Sequence, residues 1–319
     1  MSDSVISGGS LLDIKNNYLA KNFDKYEYHR LVVQSILNLM DYPDFIYDSD
    51  VSEVCIDSSG VFVKSLTHDI SIYLDRVDIH STGYSLLTFG SYEKSETDFL
   101  KSIIKSNQIF FDVGANRGWY SLVLAHHCGS IKSYAFEPIP NTFLHLQNNI
   151  RLNKLDNIFS FNLALSNASG DVDFLVSEAI SGASSMKMTG QFRGGGEIES
   201  IICQTTTLDL FSQKNQVFPD VMKIDVEGAE LLVLRGGGKV LEHGPVILIE
   251  LLRKWSKVYG YHPNDVFDLL RGFGYDGFVL DTNSSKLLKC DGVNDETVHT
   301  NFIFLSQSKH AEIIGKFNI

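Results

Sequence analysis

Two runs of residues in this chain place acidic side chains directly after a short apolar segment. The first run, at 222–230, reads MKIDVEGAE, so Asp225 and Glu227 follow a strand-like stretch and precede an apolar, helix-like one. In open α/β folds, ligands bind at the carboxyl ends of the strands. A carboxylate at that edge can orient a substrate hydroxyl or accept its proton. The run predicts catalytic roles for both acids, although Glu227 could instead only stabilise the positive end of the following helix.

The second run, at 110–120, reads FFDVGANRGWY and predicts a glycine-containing turn between a strand and a helix. Gly114 and Gly118 permit positive φ and close approach of a ligand to the backbone. A dinucleotide-binding turn would have glycine where Asn116 stands. The turn therefore favours a ligand without pyrophosphate, and S-adenosyl-L-methionine fits because its ammonium group could meet Asp112. The alternative is a tight turn that binds no ligand.

Two further positions could complete a nucleoside site. Glu137 ends the next predicted strand, and Pro138 favours an extended backbone there. An acid at this position can accept hydrogen bonds from both ribose hydroxyls. Ala164 follows the third predicted strand and could line an adenine pocket, although a plain loop is equally consistent with that segment.

A third carboxylate, Glu250, ends the apolar strand predicted at 246–249 and is expected to project beside Asp225 and Glu227. Three carboxylates in one cleft could hold a divalent cation. No spacing in the sequence requires one, and no metal site is predicted. Glu250 is included among the candidate catalytic residues.

From Glu93 onward, helical and strand-like patterns alternate, which predicts an α/β fold with a doubly wound, mostly parallel sheet. Residues 1–90 lack this alternation and are expected to form an N-terminal α+β extension or cap, leaving 91–319 as the catalytic domain. Ala183–Ser200 is glycine-rich and predicts either a flexible surface loop or a lid. The main strands are predicted at 109–112, 132–137, 158–162, 221–226 and 246–251, and antiparallel pairs at 171–176 with 201–206 and at 278–280 with 301–305.

Composition restricts the class of protein. The chain has 319 residues and a formal net charge of −12, which argues against sequence-independent binding to nucleic acid. The four cysteines form no Cys-x-x-Cys motif. Since no stretch of about 18 apolar residues occurs, a membrane span is not expected. We expect a cytoplasmic protein.

Taken together, the motifs resemble the FkbM family of S-adenosylmethionine-dependent methyltransferases. The resemblance covers roughly residues 90–280 and rests on five runs: 112–116 with Gly118, 136–138, 164–166, 207–209 and, most specifically, 223–230. It implies a Rossmann-like class I methyltransferase fold, whose seven-stranded sheet has one antiparallel strand. It also implies that Tyr92 and Glu93 lie near the cofactor.

The favoured hypothesis is therefore O-methylation, by S-adenosyl-L-methionine, of a hydroxyl on a sugar, glycan or natural product. A nicotinamide-dependent oxidoreductase is one alternative, because Glu137 would also suit the ribose of NAD. A non-catalytic module that has kept the fold is another. The sequence does not identify the acceptor or the oligomeric state.

Overall fold

The computed structural model describes residues 10–177, 180–185, 198–281, 284 and 286–317. The chain forms two compact units, Met1–Ser49 and Asp50–Ile319. Most of the predicted glycine-rich loop, residues 186–197, lies outside the described residues.

The first unit consists of short helices: α1 (Leu11–Leu19), α2 (Lys25–Ile36) and α3 (Tyr42–Ile46). Ser10 forms a capping box with Asp13 at the start of α1, and Asp24 caps α2. The rings of Tyr18 and Tyr28 stack at 4.2 Å and join these two helices.

The second unit begins with a three-stranded antiparallel sheet followed by two helices. Residues 51–65 form a β-hairpin, in which Val54 pairs with Val63. The elements are β1 (Val51–Asp57), β2 (Gly60–Ser65), β3 (Ser71–Tyr73), α4 (Thr82–Phe89) and α5 (Lys94–Ile103).

The remaining elements alternate along most of the chain. In chain order they are β4 (Ile109–Val113), α6 (Trp119–His127), β5 (Lys132–Phe136), α7 (Pro140–Leu152), β6 (Ile158–Phe161), β7 (Ala164–Leu165), β8 (Gly170–Ser177), β9 (Ile180–Ser185), β10 (Ile198–Thr206), α8 (Leu208–Asn215), β11 (Val221–Ile224), α9 (Glu230–Arg235), α10 (Gly238–His243), β12 (Val246–Glu250), α11 (Arg253–Ser256), α12 (Pro263–Gly272), β13 (Tyr275–Asp281), β14 (Lys286–Lys289), β15 (Asn301–Ser306) and α13 (Gln307–Phe317). Within the described ranges, none of the helices combines the length and the apolar character needed to cross a membrane.

The central sheet has the strand order β14-β13-β15-β12-β11-β4-β5-β6 among the described residues. The five neighbouring strands β6, β5, β4, β11 and β12 are parallel to one another. Strand β15 lies between β12 and β13 and is antiparallel to both. This confirms the α/β fold class and the predicted pairing of residues 278–280 with the segment at 301–305. The additional edge strand β14 was not predicted, because its sequence, KLLK, is only four residues long.

Chain order reverses between β4 and β11. β4 pairs with β5 on one side and with β11 on the other, so the chain has moved to the opposite flank of β4. Beneath this point the rings of Phe111, Phe136 and Phe211 pack with centroids 4.7 to 5.8 Å apart. The carboxyl ends of β4, β5 and β11 therefore meet where open α/β sheets bind ligands.

A second, smaller sheet lies beside this edge and has the order β7-β10-β8-β9. The predicted antiparallel pair is present, with Phe174 opposite Ile201. Phe174 and Cys203 pack with Ile139 and Ala164, which follow the carboxyl ends of β5 and β6. This small sheet thus contributes an apolar wall next to the ligand-binding edge.

Buried polar contacts fasten the segment after β3 to the central domain. Arg117 is 2% exposed, and its Nη2 lies 2.7 Å from Asp75 and 3.0 Å from Asp78. Asn149 on α7 accepts a hydrogen bond from the Tyr73 N–H and donates one to the Arg117 carbonyl. Residues 50–90 therefore pack within the second unit, and the functional boundary at residue 90 remains a prediction.

Replacing Arg117 by methionine should lower the free energy of unfolding by about 3 kcal/mol, because two carboxylates would lose their buried counter-ion. Urea unfolding followed by circular dichroism measures this change. Arg271→Met is the matched control, since Arg271 pairs with Asp268 on an exposed helix surface and should change little. Equal effects of the two substitutions would contradict this role for Arg117.

Candidate active site

A cavity of about 940 Å³, counting its open mouth, lies at the carboxyl ends of β4, β5 and β11. Most of the residues predicted from the sequence line it, whereas Gly118 and Glu250 do not. The predicted residues that line it are Tyr92, Glu93, Asp112, Gly114, Asn116, Glu137, Pro138, Ala164, Asp225 and Glu227. Their individual roles remain predictions.

Gly114 is required by the close approach of two strand ends. Its φ is +81°, and a Cβ at this position would lie 1.7 Å from the carbonyl oxygen of Asp225. The N–H groups of Gly114 and Ala115 both donate to the carbonyl of Phe136, at 3.0 and 2.9 Å. The turn after β4 is therefore held against β11 and β5 at once.

Gly118, which was predicted to bind the cofactor, does not line the cavity. It precedes α6 with a φ of +90°, and a Cβ there would lie 2.5 Å from Leu146 Cδ1 on α7. The glycine therefore allows α6 and α7 to pack closely, and it does so away from the cavity lining.

Glu137 connects two of the turns that border the cavity. Its side chain is 5% exposed. One carboxylate oxygen accepts the Asn116 N–H at 3.0 Å, and the other accepts the Ile139 N–H at 2.9 Å. Burial raises the pKa of Glu137 to about 7, although the two backbone hydrogen bonds oppose the shift.

Asp112 is held at the start of α6. Its Oδ2 accepts hydrogen bonds from the Ser121 N–H at 3.1 Å and from the Ser121 hydroxyl at 2.6 Å. Burial raises the pKa of Asp112 to about 6, and the hydrogen bonds from Ser121 counteract the increase. The carboxyl group thus links β4 to α6 as well as facing the cavity.

Lys223 is a buried ammonium group that the sequence reasoning did not select. It is 1% exposed, and its Nζ lies 3.4 Å from both Asp225 Oδ2 and Asn301 Oδ1. Burial lowers the pKa of Lys223, and the carboxylates of Asp225, Glu93 and Glu250 raise it by more than burial lowers it. The pKa of Lys223 therefore lies above its ordinary value. A lysine inside an otherwise apolar strand was the available signal.

Tyr92 and Glu93, for which the family resemblance implies a position near the cofactor, line the cavity. The Tyr120 hydroxyl donates a hydrogen bond to Glu93. Burial raises the pKa of Glu93, and Lys223 lowers it. The Tyr92 ring packs edge-on against Trp119 at 5.3 Å, so this wall is largely aromatic.

The turn after β11 has two successive residues with positive φ, Glu227 at 51° and Gly228 at 103°. Glu230, 2% exposed, stabilises this turn. It accepts the Gly228 N–H at 2.9 Å and the Tyr261 hydroxyl at 2.8 Å. Sequence reasoning gave Glu230 no role, although it is the third acid in the MKIDVEGAE run.

Glu227 and Glu250 have unusual protonation behaviour. Burial, followed by repulsion from Asp225 and Glu250, raises the pKa of Glu227 well above its ordinary value. Burial and the nearby Asp225 raise the pKa of Glu250 to about 8. Glu250 ends β12, lies opposite Asn301 and interacts with Asp225, although it does not line the cavity.

The arrangement of acids does not by itself indicate a metal centre. Across the described ranges, no three His, Cys, Asp or Glu side chains are grouped closely enough to hold a metal ion. The acids instead surround the ammonium group of Lys223.

Comparison with known sequences assigns the family. A sequence model described as the Methyltransferase FkbM domain matches residues 112–276, more than half of the chain. The chain belongs to this family. The matched segment contains the turn after β4, Glu137 and the whole MKIDVEGAE run. The protein is therefore a methyltransferase, and the family resemblance deduced from its motifs is confirmed.

Two relatives have established names. The chain is 28% identical to the hexuronic acid methyltransferase AglP of Haloferax volcanii, in an alignment covering 56% of this chain and 68% of the relative. It is 26% identical to the methyltransferase sdnD of Sordaria araneosa, covering 58% and 81% respectively. Among solved structures, it matches a putative methyltransferase from Streptococcus mutans in complex with SAH, with 12% identity, a TM-score of 0.34, and coverage of 66% and 94%.

Gly114→Ala should destabilise the fold by about 3 kcal/mol or more and abolish ligand binding, because the new methyl group would collide with the Asp225 carbonyl. Urea unfolding measures the loss of stability, and calorimetric titration with S-adenosyl-L-methionine, the predicted cofactor, measures the loss of binding. Gly129→Ala is the control, since a Cβ at Gly129 meets nothing within 4 Å. Normal folding and binding by Gly114→Ala would contradict the tight contact.

Stability should depend on pH through the buried acids. In the folded protein the pKa is about 7 for Glu137 and about 8 for Glu250. Because these values are raised, the protonated groups stabilise the folded state fully below about pH 4, and this stabilisation is lost as the pH rises through the folded-state pKa values. In the wild type the free energy of unfolding should fall between pH 5 and 8. In Glu250→Gln this fall should be smaller by roughly 1–3 kcal/mol.

Urea unfolding at several pH values measures this dependence. His68, His145 and His310 have lowered pKa values because of burial, and they act in the opposite direction. The informative quantity is therefore the difference between variant and wild type. Asp268→Asn, an exposed carboxyl on α12, should leave the wild-type dependence intact; a Glu250→Gln curve parallel to wild type would refute the assignment.

Proposed function

We propose that this chain is an S-adenosylmethionine-dependent O-methyltransferase that acts on a hydroxyl of a sugar, glycan or natural product. The observation that carries the proposal is that the Gly114 turn, Glu137 and the Asp225–Glu227 edge border a single cavity. Family membership favours methyl transfer over the nicotinamide-dependent alternative. A relative named as a hexuronic acid methyltransferase supports a carbohydrate acceptor.

The cavity has the chemistry that S-adenosylmethionine requires. Each oxygen of Glu137 accepts one backbone N–H and keeps a lone pair that can accept a ribose hydroxyl. Leu163, Leu165 and Phe174 provide an apolar part of the lining that suits a purine ring. The space that a Cβ at Gly114 would fill allows close approach to the backbone.

Asp225 is well placed to orient the acceptor. Its backbone is fixed by the Gly114 contact and by its own N–H, which donates to the Val113 carbonyl at 2.9 Å. Its side chain is held by Lys223 and is 28% exposed. Alignment of reacting atoms can contribute about 7–11 kcal/mol to lowering a barrier, so a rigid carboxylate at this edge serves that purpose.

Glu227 is the better candidate for the proton acceptor. Its side chain lines the cavity, as that of Asp225 does, and a carboxylate in this position can accept the proton of the acceptor hydroxyl. When bound, S-adenosylmethionine would supply an electrophilic methyl carbon, and Glu227 in its ionised form would take up the proton that the acceptor hydroxyl releases. Glu250 acts through Asp225, because it lies outside the cavity lining.

The remaining expectations concern partners and location. A small-molecule or glycan acceptor with a free hydroxyl is part of the proposal. The absence of a nucleic-acid partner and a cytoplasmic location remain predictions from composition, with a net charge of −12 as their basis.

Cofactor binding and methyl transfer should respond differently to two substitutions. Glu137→Ala should weaken S-adenosylmethionine binding at least tenfold, because the ribose hydroxyls and two backbone N–H groups would lose an acceptor. Glu227→Gln should retain binding but lower methyl transfer about 10²- to 10⁴-fold, because it removes the proton acceptor. Isothermal titration measures binding, and transfer of a labelled methyl group to a panel of glycosides and hydroxylated metabolites measures turnover.

Asp268→Asn serves as the control, since this exposed side chain lies on α12. Failure of the wild-type protein to bind S-adenosylmethionine would overturn the proposal. Binding without transfer to any acceptor in the panel would favour the non-catalytic alternative.

A further inference from the structure

The cavity lining is strongly acidic. The lining carboxyl groups belong to Glu93, Asp112, Glu137, Asp225 and Glu227. Within the described part of the chain, Lys223 is the one basic side chain that lines it. One ammonium group cannot neutralise five carboxylates, so an empty cavity carries either excess negative charge or bound protons.

The acids around Lys223 form one electrostatic unit. Asp225 lies at its centre, with its Oδ2 3.4 Å from Lys223 Nζ. Glu93 and, from the neighbouring strand β12, Glu250 interact with the same ammonium group. Like charges at close range disfavour simultaneous ionisation. Burial and the nearby Asp225 raise the pKa of both Glu93 and Glu250, so these two acids hold a proton more tightly than an isolated carboxyl group does.

Other charged or titratable groups face this unit from the surrounding elements. Glu230 on α9 is engaged by Tyr261 and by the Gly228 N–H. Lys254 on α11 is exposed, and it lowers the pKa of Glu227 by less than burial and the neighbouring acids raise it. The Tyr120 hydroxyl on α6 donates to Glu93, and Asn301 on β15 is neutral. These neighbours leave the net negative character of the unit in place.

We propose that the carboxyl groups around Lys223 make this cavity selective for a positively charged occupant. It would then bind S-adenosylmethionine more tightly than S-adenosylhomocysteine, and binding the former would release a proton from the acids to the buffer. The inference rests on the proposed function, because it takes S-adenosylmethionine as the cofactor.

The two ligands provide a matched pair. They share the adenosine and the amino-acid group, and they differ by one methyl group and the positive charge on sulfur. A cation in the cavity stabilises ionised carboxylates, so a proton is lost when it binds. Loss of that charge after methyl transfer would weaken binding and assist release of the product.

The test is isothermal titration of both ligands at pH 6, 7 and 8, in two buffers that differ in ionisation enthalpy. The affinity of S-adenosylmethionine relative to S-adenosylhomocysteine should rise about three- to tenfold between pH 6 and 8. The buffer dependence should show more proton release for S-adenosylmethionine. The sulfonium charge lowers the pKa of the amino group of free S-adenosylmethionine, so each free ligand is titrated separately and its own proton uptake is subtracted.

Glu250→Gln identifies the source of the effect. Glu250 does not line the cavity, so Glu250→Gln removes a titratable carboxyl group without removing a group that lines the cavity. The pH dependence of the affinity ratio should become shallower in this variant and return with Glu250→Asp. Asp268→Asn makes the same change of charge on an exposed part of α12 and should behave as wild type. If Glu250→Gln does not fold, Glu227→Gln removes another titratable carboxyl group with a raised pKa and serves as the alternative variant.

The outcomes separate the inference from the function on which it rests. If the wild-type protein does not bind S-adenosylmethionine, the proposed function fails and the inference with it. If both ligands bind but their affinity ratio does not change with pH, the proposed function survives and charge selection is refuted. Equal proton release by the two ligands would refute it as well.

Discussion

The contact between Gly114 and the carbonyl oxygen of Asp225 is the constraint on which the site depends. At this point β4 and β11 lie side by side while the chain has crossed from one flank of the sheet to the other. A Cβ would lie 1.7 Å from the carbonyl oxygen, so only glycine lets the two turns approach. Because the turns approach, the acids that follow each strand border the same cavity.

Buried charge is handled in two different ways in this domain. Arg117 forms buried ion pairs with Asp75 and Asp78, and these pairs attach the segment after β3 to the central domain. Lys223, in contrast, is outnumbered by the acids around it. The first arrangement fixes structure, whereas the second leaves carboxyl groups with raised pKa values beside the cavity. Catalytic sites commonly require such perturbed groups, because proton transfer needs a pKa close to the working pH.

Family membership and site geometry contribute separate information. The FkbM domain match covers residues 112–276 and establishes that the chain is a methyltransferase. It does not show which acids are open to the cavity. The structure does so: Glu230 is bonded to the Gly228 N–H and to the Tyr261 hydroxyl, whereas Asp225 lines the cavity and its side chain is 28% exposed.

Local sequence determined most of the strands and the turns that carry Asp112, Glu137 and Asp225. These features follow from short-range properties: apolar runs, glycine at positions of positive φ, and proline after Glu137. The additional strand β14 was missed because its four residues are too few to form a pattern. The packing role of Gly118 could not be obtained from local sequence, because it depends on Leu146 on α7. The surroundings of Lys223 could not be obtained either, because Glu93 lies before α5 and Glu250 lies on β12. The sequence by itself thus determined which residues end each strand. The tertiary structure decided which of those residues share a cavity and which carboxyl groups have raised pKa values, because burial and charge repulsion act between side chains that only folding brings together.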